Sequence, residues 1–178
     1  MLLMRIREAT ISDMDALASL ARRTFIDTYD DLSEEEFARY ASEFFSSDRI
    51  REYLEEPGFR VLVAEDGGLI GYILLEQSEA PVPMAASNQI ECVRLFVDKT
   101  AQGQYLGSKL LEKAQRISEQ NGYDTLWLKV WDQNKKAISF YEKKGFRHFG
   151  TVPYTDGGMN DQVLIMACRT RGKIETGI

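Results

Sequence analysis

The sequence predicts an α/β protein in which helices and strands follow one another along a single chain. Short runs of β-branched and aromatic residues recur between longer amphipathic segments. Helix-capping residues and glycine-bearing turns separate these segments. The 178 residues are enough to bury a hydrophobic core. We therefore expect one domain over residues 1–169, followed by a frayed tail over 170–178.

The first third of the chain predicts one strand and three helices. A short strand covers Arg5–Ala9. Ser12 is the expected N-cap of a helix that runs to about Tyr29, with apolar residues along one face. A capping box over Ser33–Glu36 begins a second helix. A third helix begins near Ser47 and ends at a Pro-Gly pair.

The middle of the chain predicts a hairpin, a loop, a strand and a helix. The strands Phe59–Ala64 and Leu69–Glu76 flank an Asp-Gly-Gly turn, as in a β-hairpin. The loop Ser78–Ser87 is rich in proline and small residues. The fourth strand spans Gln89–Val97, and the next helix spans Gly107–Asn121.

The last third predicts a fifth strand over Thr125–Trp131 and a helix over Lys135–Lys144. Two final strands, Phe146–Thr151 and Gln162–Arg169, surround a turn at Asp156-Gly157-Gly158. The predicted order is therefore a strand, three helices, a hairpin and then β-α-β-α-β-β.

Composition argues against several functional classes. The net charge of −6 is not that of a nucleic-acid-binding surface. Without a bilayer-spanning apolar run or a signal-peptide core, we expect a cytoplasmic protein with no membrane partner. Cys92 and Cys168 lie in predicted strands, so buried reduced thiols are expected rather than a disulfide. These two cysteines and the single His148 offer too few ligands for a structural zinc site.

The segment after the fourth strand has the features of an anion site. Following Val97, a polar turn leads through Gln102–Ser108 directly into an amphipathic helix. Unpaired N–H groups and the positive end of the helix dipole meet at such a helix start, where phosphate binds readily. The structural alternative is that Gly107 serves only the close packing of the helix on the sheet.

A second pattern follows the fifth strand. Asn134 and Tyr141 lie seven residues apart, about two helical turns, so both side chains can point along one face. Gly145 follows at the position of a left-handed C-terminal cap.

Together these two patterns resemble the signatures of the GNAT superfamily of acetyl-CoA-dependent N-acetyltransferases. The family has Gln/Arg-x-x-Gly-x-Gly/Ala after the fourth strand and Asn-x-x-Ala-x-x-x-Tyr-x-x-x-Gly-Phe after the fifth. The second signature matches at every named position, from Asn134 to Phe146. The first matches at Gln102 and Gly107 and departs at Tyr105, where the family usually has glycine.

The resemblance covers essentially the whole chain and implies the GNAT fold. That fold has a mixed, mostly antiparallel central sheet of about seven strands flanked by helices, with strands four and five splayed around the cofactor. The segments Thr24–Tyr29, Trp127–Trp131 and Asp156–Met166 are similar to bacterial spermidine/spermine N-acetyltransferases of the PaiA type. A homodimer through the late strands is common in the family, although no residue here requires one.

The resemblance also implies the residues that bind acetyl-CoA, with no metal. The backbone of Leu95, Phe96 and Val97 would pair with the pantetheine arm as if it were an added strand. Asn134 would hydrogen-bond the same arm, although an N-cap role explains this residue equally well. The pyrophosphate would lie on the turn formed by Gln102, Gly103, Gln104, Tyr105, Leu106, Gly107 and Ser108.

Two residues are the candidates for proton transfer. Tyr141 would protonate the leaving thiolate, and the alternative is a tyrosine that only packs its helix on the sheet. Several family members carry a glutamate on strand five where this chain has Lys129. Glu91, which matches the base position of another branch, is therefore the candidate base, acting through a water relay. The alternative for Glu91 is a solvated strand end.

The acceptor is predicted to be a small primary amine. An acidic wall between the first two helices would steer a cationic polyamine, although these carboxylates also suit helix N-termini. The wall consists of Asp27, Asp30, Asp31, Glu34, Glu35 and Glu36. Direct attack on the thioester is expected, without an acyl-enzyme. The alternatives are a protein or peptide N-acetyltransferase, a non-catalytic acyl-CoA sensor, and an enzyme acting on aminoglycosides or amino acids.

Overall fold

The computed structural model describes residues 4–29, 32–154 and 161–170. Within them the strands are β1 (Arg5–Glu8), β2 (Phe59–Glu65), β3 (Leu69–Glu76), β4 (Gln89–Val97), β5 (Thr125–Trp131), β6 (Arg147–Tyr154) and β7 (Asp161–Arg169). The α-helices are α1 (Met14–Thr28), α2 (Glu34–Phe44), α3 (Ser47–Glu55), α4 (Leu106–Gln120) and α5 (Lys135–Lys143). In this part of the chain no helix combines the length and the apolar character needed to cross a bilayer.

The strands form a mixed sheet in the order β1-β2-β3-β4-β5-β7-β6, which confirms the predicted fold class. The pairs β1–β2, β5–β7 and β6–β7 are antiparallel, whereas β4 and β5 are parallel. The parallel register covers only three residue pairs and ends at Glu91–Trp127. Both strands continue beyond that pair, β4 to Val97 and β5 to Trp131.

The chain divides into two compact units. The first comprises residues 1–75 and 94–112, and the second comprises residues 76–93 and 113–178. The single domain over 1–169 stays a prediction.

The first unit has a core of aliphatic and aromatic side chains. Leu17 and Leu20 of α1 are almost fully buried. Phe25, further along the same helix, stacks on Tyr40 with ring centroids 4.2 Å apart. Arg94 is also buried here, with its guanidinium 5.0 Å from the ring centre of Phe44. Aromatic faces therefore surround this cation in the interior.

The second unit is built on β5, β6 and β7. Trp127, Ile165 and Ala167 are buried, and partly buried side chains of the predicted loop Ser78–Ser87 pack against them. Cys92 and Cys168 are buried free thiols, as predicted.

The first helix begins differently from the prediction, because Ser12 is not its N-cap. Residues Ile11–Asp13 form a 3-10 turn, and α1 begins at Met14. The carboxylate of Asp13 accepts a hydrogen bond from the Thr10 N–H at 2.8 Å. The same carboxylate receives two bonds from the Arg7 guanidinium, at 2.7 and 2.9 Å. These bonds hold Asp13 directly before α1, one residue after the expected cap.

The end of the chain also differs in part from the predicted frayed tail. Thr170 is buried, and its N–H donates to the carbonyl of Asp124 at 3.1 Å, so this residue does not belong to a frayed tail. The rest of that predicted tail, 171–178, lies outside the described residues, as does the predicted turn at 156–158.

Candidate active site

The turn after β4 is fixed by Asp98. Its Oδ1 accepts the N–H of Thr100 at 3.0 Å, and its Oδ2 accepts a hydrogen bond from Nε of Arg23 at 2.7 Å. The bond from Thr100 contributes most to lowering the pKa of the Asp98 carboxyl. A carboxylate that stays charged therefore anchors the chain where β4 ends and the turn begins.

The turn itself opens into α4 through two residues in the left-handed region. Gly103 has φ +82°, and Tyr105 has φ +57°. The first helical hydrogen bond runs from the Lys109 N–H to the Tyr105 carbonyl at 3.0 Å. The N–H groups of Leu106, Gly107 and Ser108 therefore precede the first intrahelical donor and have no acceptor within the helix. An anion can be bound at such a helix start.

Tyr105 adopts a backbone conformation that favours glycine. A side chain at positive φ is strained, and glycine adopts this conformation without that cost. The ring of Tyr105 is 79 % exposed, so it points to solvent rather than into the turn. The backbone thus keeps the glycine-like conformation while carrying an aromatic side chain.

Leu95, Phe96 and Val97 are half-buried. The ring of Phe96 lies 5.9 Å from that of Tyr72, centre to centre, so this side chain belongs to the core of the first unit. A Cβ on Gly71 would lie 3.2 Å from the Phe96 carbonyl oxygen, which shows how closely β3 approaches this strand. The predicted backbone pairing with a pantetheine arm stays a prediction.

In the second unit, Asn134 is the N-cap of α5. Its Oδ1 accepts the N–H of Ala137 at 3.0 Å, which confirms the capping interpretation. This bond uses the amide oxygen, and Nδ2 is the group that would donate to a ligand.

Tyr141 lies seven residues further along, half-buried on α5. Its ring centre is 5.2 Å from that of Phe140 and 5.5 Å from that of Phe146. The Phe146 N–H donates to the Tyr141 carbonyl at 3.1 Å, and Gly145 has φ +90°. Gly145 therefore follows the end of α5, and Phe146 packs against the tyrosine ring.

Glu91 is not a solvated strand end, because the structure buries it to 7 % exposure. The hydroxyl of Ser78 donates to its Oε2 at 3.1 Å, and Nζ of Lys129 lies 3.4 Å from its Oε1. Burial raises the pKa of the Glu91 carboxyl, while Lys129 and Ser78 oppose that rise. A raised pKa brings a carboxylate closer to the range of a useful general base.

Ser78 and Lys129 were not among the predicted site residues. The sequence signal for Lys129 was present, because a glutamate on an apolar strand needs a cationic partner. Finding that partner requires the parallel register of β4 and β5, which pairs Glu91 with Trp127 and brings Lys129 within reach.

The predicted acidic wall is weaker than expected. Asp27 forms an ion pair with Lys99 at 2.9 Å, and the Glu36 carboxylate accepts the N–H of Ser33 in a capping box. Glu34 and Glu35 are exposed in the first turn of α2. Asp30 and Asp31 lie outside the described residues.

Neither cysteine is suited to nucleophilic catalysis. Burial raises the pKa of both thiols, that of Cys168 to about 11. The thiolate is the reactive form, so a covalent acyl-cysteine is disfavoured. Within the described residues, no group of three or more histidine, cysteine, aspartate or glutamate side chains could hold a metal ion.

The chain is similar to known proteins over most of its length. The model of the acetyltransferase (GNAT) family matches residues 14–146. A spermidine N(1)-acetyltransferase of Thermoplasma acidophilum is 28% identical over 158 residues, which are 85% of this chain and 91% of that protein. A peptidyl-lysine N-acetyltransferase of Salmonella typhimurium is 26% identical over 157 residues, 88% of this chain and 92% of that protein.

Among solved structures, the PaiA N-acetyltransferase of Thermoplasma acidophilum in complex with coenzyme A is similar at a TM-score of 0.74. The two sequences are 27% identical, and the match covers 94% of this chain and 99% of that one.

Proposed function

The chain belongs to the acetyltransferase (GNAT) family, and on that premise we propose that it transfers the acetyl group of acetyl-CoA to a small cationic primary amine such as spermidine or spermine. The family membership confirms the resemblance read from the sequence. The observation that carries the amine class is the similarity to a spermidine N(1)-acetyltransferase over 85% of the chain.

The residues of the first unit fit the phosphate groups of the cofactor. The N–H groups at the start of α4 lie ahead of the bond from Lys109 to Tyr105, and position 103 of the turn, a glycine, carries no side chain. Such a helix start binds a pyrophosphate through hydrogen bonds and the helix dipole. Coenzyme A bound to the similar PaiA structure supports this assignment.

Acetyl-CoA supplies an activated thioester, and the protein side chains manage the protons. Glu91, held by Ser78 and Lys129, accepts through water the proton that the attacking amine must lose. Tyr141 donates a proton to the departing sulfur. Since the reference pKa of a phenol is about 10 and that of a thiol about 8.5, this transfer works best in concert with carbon–sulfur cleavage.

A second candidate acceptor is the lysine side chain of a peptide. The peptidyl-lysine N-acetyltransferase of Salmonella typhimurium is similar at nearly the same level as the spermidine enzyme. Both acceptors present a primary amine on a flexible aliphatic chain, so the same proton-transfer residues serve either.

Steady-state kinetics with matched acceptors distinguish these candidates. We expect kcat/KM for spermidine to exceed that for a lysine-containing peptide at least tenfold. The variant Glu34→Gln/Glu35→Gln should raise KM for spermidine and leave KM for acetyl-CoA unchanged, because these exposed carboxylates attract the cation. The matched control is Glu119→Gln on α4. Higher kcat/KM for the peptide would favour the second candidate.

A further inference from the structure

The loop Ser78–Ser87 has no regular secondary structure, yet it is tied to the second unit along its length. The Ala80 N–H donates to Oε1 of Gln89 at 2.9 Å, and the Ser87 hydroxyl donates to Oδ2 of Asp124 at 2.8 Å. Between these ties, apolar side chains of the loop pack against the buried cluster of Trp127, Ile165 and Ala167. These contacts therefore fix the position of the loop on the sheet.

Within this packing, the Val82 side chain lies very close to Gly150. A Cβ placed on Gly150 would lie only 2.8 Å from Cγ1 of Val82, closer than van der Waals contact allows. The same Cβ would lie 3.4 Å from Cβ of Val82, which is an ordinary contact distance. A side chain at position 150 would therefore force the Val82 side chain to shift.

The first residue of the loop contacts the candidate base. The Ser78 carbonyl accepts the indole N–H of Trp127 at 3.0 Å, which orients this residue. The Ser78 hydroxyl then donates to Oε2 of Glu91 at 3.1 Å. A displacement of the loop would carry this donor away from the carboxylate.

We propose that the loop Ser78–Ser87 positions Glu91. In this proposal the packing of Val82 on Gly150 holds the Ser78 hydroxyl against the carboxylate. Its catalytic consequence rests on the proposed function, in which Glu91 is the base. The contact itself does not depend on that function.

The charged form of Glu91 depends on a small set of neighbours. The Ser78 hydroxyl and Lys129 favour the carboxylate, whereas burial and the charge of Glu76 at the end of β3 disfavour it. Cys92, the next residue along β4, is buried with its pKa raised by burial, so its thiol stays neutral at ordinary pH. Loss of the Ser78 bond should therefore raise the pKa of Glu91 further.

The experiment uses the full chain, labelled with ¹³C at glutamate carboxyl groups, and follows Glu91 by NMR from pH 4 to 9. Glu91→Gln assigns the signal. Gly150→Ala should move the titration upward, and Val82→Ala/Gly150→Ala should return it to the value of Val82→Ala, because the double variant removes the clash. Ser78→Ala should reproduce the shift, and adding Gly150→Ala to it should produce no further change.

An unchanged Glu91 titration in folded Gly150→Ala would overturn the proposal, as would an equal additional shift in the Ser78→Ala background. If Gly150→Ala does not fold, Val82→Ala removes the side-chain contact with Gly150 and must itself move the Glu91 titration upward. The pH dependence of kcat/KM then separates the two claims. A titration that moves as expected while the rate profile stays fixed would keep the loop contact and reject Glu91 as the base.

Discussion

The ammonium of Lys129 lies 3.4 Å from the carboxylate of Glu91, although Lys129 stands on β5 two residues beyond the last parallel pair, Glu91–Trp127. Several family members carry a glutamate on strand five where this chain has the lysine. Here the carboxylate stands on β4 and the strand-five position supplies its counter-charge. The pair makes a buried acid tolerable and keeps its charge state sensitive to its surroundings.

Replacing Lys129 should therefore change the pH dependence of the reaction. Lys129→Met removes the cation that opposes the burial effect, so the pKa of Glu91 should rise further. The acidic limb of kcat/KM, which reports groups of the free enzyme, should move to higher pH. Lys129→Arg is the matched control and should leave the limb in place. Identical profiles for both variants would contradict the role given to the charge.

The same variant should lose stability in a pH-dependent way. The folded-state pKa of Glu91 lies above its unfolded value. The free energy of unfolding therefore falls as pH rises through the folded pKa, because the buried carboxyl group becomes charged. Urea unfolding of Lys129→Met should show a larger deficit against the unmodified protein at pH 8 than at pH 5. A deficit of equal size at both values would mean that Lys129 contributes by packing alone.

Asp13 should stabilise the folded protein near neutral pH and lose this effect in acid, the reverse of the pH dependence of Glu91. Hydrogen bonds from Arg7 contribute most to lowering the pKa of Asp13 to about 2, below its unfolded value. This stability is complete above about pH 4 and is lost as pH falls through about 2. Asp13→Asn should cost on the order of 1 kcal/mol at pH 6, after allowance for solvent screening, and almost nothing at pH 2. Asp15→Asn, an exposed neighbour, is the control and should change little at either pH.

Tyr105 should be a site where glycine stabilises the protein. Its φ of +57° strains a side chain by about 1 to 2 kcal/mol, part of which glycine loses again through unfolded-state entropy. Tyr105→Gly should thus raise the unfolding free energy by up to about 1 kcal/mol. Gln104→Gly, next to it in the turn, should lower the unfolding free energy. Destabilisation by both substitutions would show that the tyrosine side chain contributes more than its backbone strain costs.

Tyr141 should matter for turnover and little for cofactor binding. Tyr141→Phe keeps the ring that packs on Phe146 and removes only the phenolic hydroxyl. We expect kcat to fall about 100-fold, within the range of general acid catalysis, while calorimetry gives the same Kd for coenzyme A. Tyr123→Phe is the control, since its hydroxyl contacts the exposed side of Gln77. An unchanged kcat in Tyr141→Phe would remove the phenol from the mechanism.

Local patterns predicted most of the fold. The bounds of β4 and β5 match the prediction, because long runs of β-branched and aromatic residues define them. The predicted start of α1 was wrong because Arg7 and Thr10 both bind Asp13. No local sequence pattern reveals the contact with Arg7. The strand β6 runs three residues past the predicted Thr151, through a proline tolerated at the edge of the sheet.

The candidate site was predicted less completely. Family patterns identified Glu91, Asn134 and Tyr141, each from its own segment of sequence. The partners of Glu91 were not identified, since Ser78 is 13 positions away and belongs to a loop without a periodic pattern. The contact of Val82 with Gly150 was also not predicted, because it joins two distant segments that sequence periodicity does not relate.

The most direct test of the central claim is thiol release from acetyl-CoA by the purified protein, with spermidine as the acceptor. We predict saturable release that requires the acceptor and falls about 100-fold in Tyr141→Phe. No acceptor-dependent release with spermidine, spermine, lysine peptides, amino acids or aminoglycosides would contradict the account. Tight coenzyme A binding in the same preparation would then identify a non-catalytic acyl-CoA sensor.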